Sequence, residues 1–370
     1  MFRLLIVCAL MALASPAFAD DKDKPKPNTL TAKQIAEGWV LLFDGETTFG
    51  WKIDGAAEVK GGKLIIGKGK KTVAYPTSGF GPTFRLWMNQ SGKGTIYTPL
   101  AVTRLDTTGE LLPDLPREFL LDFKSQSSWV FASDKAVSKS EAPKVTRPEL
   151  AHAPFLIETD GIAPLVISNV RCAPLVTAPL FTGKNLDGWN VNAADPKRMA
   201  SKWDVTTDGE LSLKNGPGDL VTEKEFDDFV LQLECKTNGK ALNSGVFFRC
   251  IPGQYQNGYE AQIHNGFKDD DRTKPTDFGT GAIYRRVAAR KVVSSDNEWF
   301  TMTVVADGRH FATWVNGYQT VDWTDDRKES ENPRQGYRAG NGPISLQGHD
   351  PTTDILFRNI RVAELPGAAK

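Results

Sequence analysis

The chain has 370 residues, 45 of them basic and 45 acidic, for a formal net charge of zero. That balance argues against a general electrostatic grip on nucleic acid. Beyond the N-terminus no apolar run approaches the roughly 18 residues that a membrane-spanning helix needs, and the length suits two domains better than one.

Residues 1–19 read as a signal peptide. Arg3 supplies a short basic start, residues 4–13 are apolar or small, and Ala17-Phe18-Ala19 fits a small-x-small cleavage site. The mature chain is therefore expected to be exported, secreted or periplasmic. Residues 20–36 open as DDKDKPKPNTL, charged and proline-containing, and read as a linker. Cys172, Cys235 and Cys250 remain after processing. Their odd number and wide spacing make neither a disulfide framework nor a C-x-x-C metal or redox pair, so each is expected to be a buried free thiol.

The next elements come twice. LFDGETTFGW at 42–51 recurs as LFTGKNLDGW at 180–189, with leucine, phenylalanine, both glycines and tryptophan at identical spacing. FRLWMNQSGKG at 84–94 matches VLQLECKTNGK at 230–240, and REFLLDF at 117–123 stands where NEWFTMTV at 297–304 stands. Residues 154–171 and 343–361 each close on asparagine, an aliphatic residue and arginine. Two diverged modules, 37–176 and 177–367, account for this pattern. The first offers no counterpart to Asn243-Ser244-Gly245, to Tyr259-Glu260-Ala261-Gln262 or to His349, and residues 95–123 are expected to leave little room for central strands. It reads as framework, either carbohydrate-binding or purely structural.

Both modules are strand-rich. Residues 229–235 alternate with period two, placing Leu231, Leu233 and Cys235 on one face and Gln232 and Glu234 on the other. Further short alternating runs follow, punctuated by glycines, and Asp307-Gly308 and Asn316-Gly317 are hairpin turns. Helix is confined to a turn or two near residues 31–37. The expectation is all-β, an antiparallel sandwich or jelly roll in each module.

On the run YEAQIH, alternation puts Glu260, Gln262 and His264 on one face and Tyr259, Ala261 and Ile263 on the other. A carboxylate, a carboxamide and an imidazole so arranged can hydrogen-bond successive hydroxyls of an extended polar ligand. A solvated outer face is the bland alternative. Arg249 lies out of phase with Val246, Phe248 and Cys250, and Gln347 and His349 lie out of phase with Ile344 and Leu346, which favours a lined concavity. Asn243 and Ser244 fall at its rim, where a plain turn is equally natural. Trp189, Trp299, Trp314 and Trp323 are candidates for stacking on sugar rings, with core packing as the default for each. The run Asp269-Asp270-Asp271-Arg272 lacks calcium-loop spacing and reads as a solvated acidic loop. No G-x-S-x-G, H-E-x-x-H or P-loop is present.

The order LFTGKNLDGW, DGELSL, GDLVTEKEFDDFVLQLE, NSGVFFR, GYEAQI, GTGAIY, EWFTMTVVADGRHFATWVNG, GPISLQGH and FRNIRVAEL, across nearly all of residues 178–366, resembles the 3-keto-disaccharide hydrolase domain family. The first module resembles it only at its opening and closing elements. The resemblance implies tandem concanavalin-A/laminin-G-like β-sandwich (jelly-roll) domains and action on an oligosaccharide or glycoside oxidised at C3. A 3-keto group acidifies the C2 proton, so a positioned base can remove it and the C1 substituent can leave. Carried over by position, the family's polar residues fall on Arg249, Glu260, Gln262 and His349, with Asn243 and Ser244 at the rim. Glu260 is then the base or a metal ligand, His349 an acid/base or ligand, and Arg249 the cation facing the developing oxyanion. Gln262, Asn243, Ser244, His264 and Trp314 are candidates for substrate binding; His264 departs from the motif, which more often has an acid or amide there. No organic cofactor is implied. A divalent metal stays open, with Glu260, His264 and His349 as candidate ligands. A non-catalytic sugar-binding protein and a structural or adhesion protein are the competing readings.

Overall fold

The computed structural model describes residues 26–80, 83–98, 101–106, 115–122, 127–132, 135–141, 147–174 and 177–365. The expected signal peptide lies outside them. Among the described residues no helix is long and apolar enough to cross a membrane.

The molecule is all-β. In the C-terminal half, an eight-stranded and a five-stranded antiparallel sheet face each other. Leu231, Leu233, Phe248, Ala261, Val304 and Phe311 are among the side chains packed between them. That is a β-sandwich, and its residues follow from period-two alternation. Strands between Val40 and Pro174 form a second antiparallel assembly of twelve strands that share the long strand Thr83–Thr98. Residues 95–123 carry the end of that strand together with Ala101–Asp106 and Leu115–Asp122, so among the described residues a single strand stands where the C-terminal half has four between the matching strands.

The sequence repeat has a structural meaning. Strand Thr83–Thr98 lies between Leu165–Pro174 and Leu115–Asp122, as Phe229–Thr237 lies between Asp354–Glu364 and Phe300–Asp307. In both openings the tryptophan indole N–H donates to the carbonyl of the leucine nine residues earlier, Trp51 to Leu42 and Trp189 to Leu180. The turn between them needs left-handed backbone, with φ +83° and +76° at Gly45 and Gly50 and +76° and +82° at Gly183 and Gly188. The closing asparagines match as well: Asn169 and Asn359 both sit at φ +52°, each beside a register shift in its ladder.

The two assemblies share a core. The face of the eight-stranded sheet turned away from the sandwich interior presents Val230, Val305, Ala312, Trp314 and Ala363, which cluster with Val40, Phe43, Phe80 and Phe84. The eight-stranded sheet is thus covered on both sides. Trp314, 1% exposed, donates its indole N–H to Leu41 O at 2.8 Å and packs on Phe80 with ring centroids 5.3 Å apart. Gln232, which alternation assigned to the polar face, is buried in this seam and donates to Gly38 O at 2.9 Å. Arg290 pairs with Asp44 at 2.8 Å, His152 Nδ1 with Asp307 at 2.9 Å and His310 Nε2 with Asp322 at 3.1 Å. From Asn28 onward the expected linker is part of the fold: Asn28 and Asn169 exchange hydrogen bonds, and Thr31 caps the helix Ala32–Ala36 in a capping box with Gln34. Cys172, Cys235 and Cys250 are free and buried.

A shared apolar seam predicts joint unfolding. Denaturant titration of the full chain should show one transition, and Trp314→Ala should lower its stability by about 3–5 kcal/mol without splitting it. Two resolved transitions in the unsubstituted chain would show that the halves are energetically independent.

Candidate functional site

The five-stranded sheet runs in the order Trp189–Val191, Gly218–Phe226, Gly342–Gly348, Ser244–Phe248, Tyr259–Ile263. Its inner face packs into the sandwich core, so its outer face lies on the side opposite the seam. On the edge strand, Tyr259, Ala261 and Ile263 enter the core. Glu260 and Gln262 therefore point outward, into a cleft of about 500 Å³. Asn243, Phe247, Gln347 and His349 line the same cleft from neighbouring segments, and Tyr284, Arg285, Arg286, Arg334 and Gln256 wall it from loops.

Glu260 is only 9% exposed. Its carboxyl is pushed up from an ordinary 4.5 to about 8, first by burial and then by the Asp277 carboxylate, with Arg285 and Arg334 pulling the other way. Its place depends on Gly245 across the ladder, since a Cβ there would sit 2.4 Å from Glu260 Oε1. Asp277 organises the amides. Its Oδ2 accepts from Asn243 Nδ2 at 2.6 Å and from Gln262 Nε2 at 2.9 Å, and its carbonyl accepts from Gln262 Nε2 at 3.1 Å. An ionised carboxylate can only accept, so the Gln262 amide must point its nitrogen at Asp277 and its oxygen away. Among the described residues that Oε1 is buried without a partner, and so is Gln347 Oε1. Two buried acceptors left open in one cleft call for donors from a ligand.

His349 lines the cleft with its side chain 43% exposed, and Nδ1 lies 2.8 Å from Asp350 Oδ2. With Nδ1–H donating to Asp350, Nε2 is the nitrogen left for a substrate. Asp350 is in turn fixed by Thr352, whose N–H and hydroxyl both donate to its Oδ1.

The structure thus brings together Asn243, Glu260, Gln262 and His349 and leaves four candidates elsewhere. Ser244 is fully buried, and its hydroxyl donates to Gln347 O at 2.6 Å, pinning two strands. His264, past the end of its strand, lies beside Thr276 and does not line the cleft. Arg249 is corrected outright as the cation of the site. The strand ends at Phe248, Arg249 takes left-handed backbone (φ +48°), and alternation stops there. Its guanidinium, 1% exposed, pairs with Asp228 at 2.5 Å and donates to Gly308 O at 2.8 Å and Arg338 O at 3.2 Å. Trp314 is corrected likewise, because it fills the seam. Trp189, Trp299 and Trp323 do not line the cleft either. As to a metal, Glu260, His264 and His349 are not gathered: among the described residues no three His, Cys, Asp or Glu side chains group to hold an ion. Asp269, at the suspected acidic loop, pairs with Lys274 at 3.1 Å on an exposed hairpin.

Arg285, Arg286 and Arg334 were missed as site residues. They sit on loops with no periodicity to read; only Gln347, by its phase, carried a signal.

A buried, neutral-leaning carboxyl affects stability with a definite sign. Ionising Glu260 is disfavoured in the folded state, so the stability it contributes is complete below pH 4.5 and falls until the pH passes about 8. Glu260→Gln should therefore match the unsubstituted protein at pH 4 and melt higher than it at pH 9. An equal melting temperature at both ends would mean that the carboxyl is not desolvated.

A family model described as a 3-keto-alpha-glucoside-1,2-lyase-like domain matches residues 177–363. Among solved structures, one candidate glycosyl hydrolase from Parabacteroides distasonis is 22% identical over 51% of this chain and 94% of its own, with a TM-score of 0.42. Another from the same organism is 29% identical over 52% of this chain and 100% of its own, with a TM-score of 0.40. The carbohydrate binding module CBM66 from Bacillus subtilis is 17% identical over 49% of this chain and 97% of its own, with a TM-score of 0.34. No curated protein matches.

Proposed function

Because the chain belongs to the 3-keto-alpha-glucoside-1,2-lyase-like family through residues 177–363, we propose that its cleft cleaves 3-keto-glycosides by removing the C2 proton and expelling the C1 substituent. The observation that carries this reading is a buried carboxyl, Glu260, set beside two buried amide oxygens that have no partner among the described residues. Gln262 Oε1 and Gln347 Oε1 are suited to accept hydroxyls of the sugar, fixing the ring against Glu260. In its ionised form Glu260 takes the C2 proton. The C–H pair becomes the C1–C2 double bond, with negative charge passing through the C3 oxygen. Arg285 and Arg334, both already acting on Glu260 electrostatically, are the cations placed to balance that charge. As the C1–O bond breaks, His349 Nε2–H protonates the leaving oxygen, and Asp350 stabilises the imidazolium that makes this possible. The products are a 1,2-unsaturated 3-keto sugar and the free alcohol; addition of water across the double bond would complete a net hydrolysis.

The base must be ionised to act. Because His349 must also carry a proton, the rate should pass through a maximum and fall on both the acid and the alkaline side. In His349→Ala the residual rate should instead climb close to tenfold per pH unit below about pH 8 and level off above it.

The decisive assay offers 3-keto-glycosides beside their unoxidised parents. Only the keto forms should turn over, since without the carbonyl the C2 proton is far too weakly acidic for a side-chain base. Glu260→Gln keeps shape and hydrogen bonding and should retain sugar binding while losing about a hundredfold or more in kcat. Arg249→Lys should act through stability rather than through this step. Sugar binding with no turnover, unchanged in Glu260→Gln, would assign the cleft to binding alone. Equal cleavage of unoxidised glycosides would instead demand a two-carboxylate mechanism.

A further inference from the structure

The outer face of the five-stranded sheet does not end at the cleft. Across the central strand Gly342–Gly348, over Gly218–Phe226 and Trp189–Val191, lies a second hollow of about 460 Å³, which the segment around Ile251 and Gln254 also lines. Gln256 lines both spaces. So does one face of the central strand, with Pro343 and Ser345 in the hollow and Gln347 and His349 in the cleft. Ser345 and Gln347 are two residues apart, or about 7 Å along a strand. A ligand whose sugar lies under Gln347 therefore has its next group within reach of Ser345.

The two spaces differ in chemistry. Ala193, Val221, Ile251, Pro252 and Pro343 contribute to the hollow. Val191, which also lines it, is 41% exposed, one of three large hydrophobic side chains so exposed among the described residues. The amides and the threonine at its edge are already engaged, while the Glu223 and Glu225 carboxylates stand exposed at its rim. Asn190 donates to Glu223, Asn192 to Gln254 O, and the Thr222 hydroxyl to Lys224 O, while Gln254 Oε1 accepts from Asn257. A second pyranose would need partners for several hydroxyls and would find these occupied. Ser345 differs: its hydroxyl is buried, 1% exposed, and has no partner among the described residues.

We propose that the hollow is the leaving-group site and that it takes a flat apolar aglycone, an aromatic ring carrying at most a few polar substituents. The assignment rests on the glycoside reading of the cleft. The ring lies against Val221 and Pro343, and the Ser345 hydroxyl meets its oxygen-bearing edge. Binding the aglycone there holds the C1–O bond at the boundary between the two spaces, with the sugar over Glu260. His349 lies four residues, or about 13 Å along the strand direction, from Ser345, so its proton reaches the leaving oxygen through water in the cleft.

Two measurements on the full chain separate this inference from its premise. In the first, kcat/KM is compared for 4-nitrophenyl, methyl and glucosyl 3-keto-glucosides in the unsubstituted protein and in Val221→Trp, which fills the hollow from its sheet face. The aryl substrate should be preferred over the other two by about tenfold or more and should lose that advantage in Val221→Trp, with circular dichroism and the melting temperature of the variant reporting an intact fold. In the second, calorimetry follows binding of unoxidised 4-nitrophenyl glucoside, which should weaken about tenfold in Val221→Trp. Preference for the glucosyl substrate, or equal losses for aryl and methyl substrates, would overturn the assignment. Absence of turnover with every keto substrate would fail the reaction but not the hollow, provided aryl glucoside binding still depends on Val221. Binding that is indifferent to Val221→Trp would overturn the hollow by itself.

Discussion

One carboxylate oxygen organises the cleft. Asp277 Oδ2 accepts from Asn243 and from Gln262 together, and this double engagement decides which way both amides face. Asp277 and Phe278 hold left-handed backbone, φ +45° and +68°, unusual for residues with side chains. The turn delivers a negative charge beside Glu260 as well, and that charge adds to burial in keeping the Glu260 proton on. Amide orientation, open acceptors and a raised carboxyl pKa are thus consequences of a single loop placed against a single strand. Gly245 completes the arrangement by leaving room for the Glu260 carboxyl that any Cβ would occupy.

The layering explains why such a site can be polar and buried at once. The eight-stranded sheet is covered by the first assembly on one face and by the five-stranded sheet on the other, so stability is drawn from two apolar layers remote from the cleft. Charged ties across the seam add alignment more than energy. Arg290 with Asp44 and His152 with Asp307 each pair a residue of the N-terminal half with one of the C-terminal half, while His310 and Asp322, both C-terminal, meet Ser78 and Thr77 across the boundary. Arg249 joins the Asp227-Asp228 turn to the Gly308 hairpin next to this boundary, and its buried pair with Asp228 is structural. The N-terminal half keeps the opening turn and the closing bulge of the repeat. Its described contribution is to cover the sheet that carries the site's sandwich.

Much of the fold and half of the candidate site were legible in the sequence, for one reason. Period two is a local property, so a run such as YEAQI states which side chains share a face before any neighbour is known. Leu231, Leu233, Ala261 and Ile263 reached the core, Glu260 and Gln262 reached the cleft, and Gln347 and His349 joined them. The repeated LFxGxxxxGW was equally readable, because the glycine turns and the tryptophan–leucine hydrogen bond close within ten residues.

What the sequence could not decide is where alternation ends and what covers each face. Arg249 is one residue past its strand, and a single left-handed φ sends it to Asp228 instead of the cleft. Trp314 and Gln232 alternate as an outer face should, yet the first assembly lies over that face and buries them. Asp277, Arg285, Arg286 and Arg334 arrive on irregular loops whose packing is fixed by contacts distant in the chain. The sequence by itself determined the strands, their inward faces and the Glu260–Gln262 pair, because these depend only on neighbours along the backbone. Only the tertiary structure decided which outer face became a seam, which became a cleft, and which charges surround Glu260, because those depend on segments meeting through space.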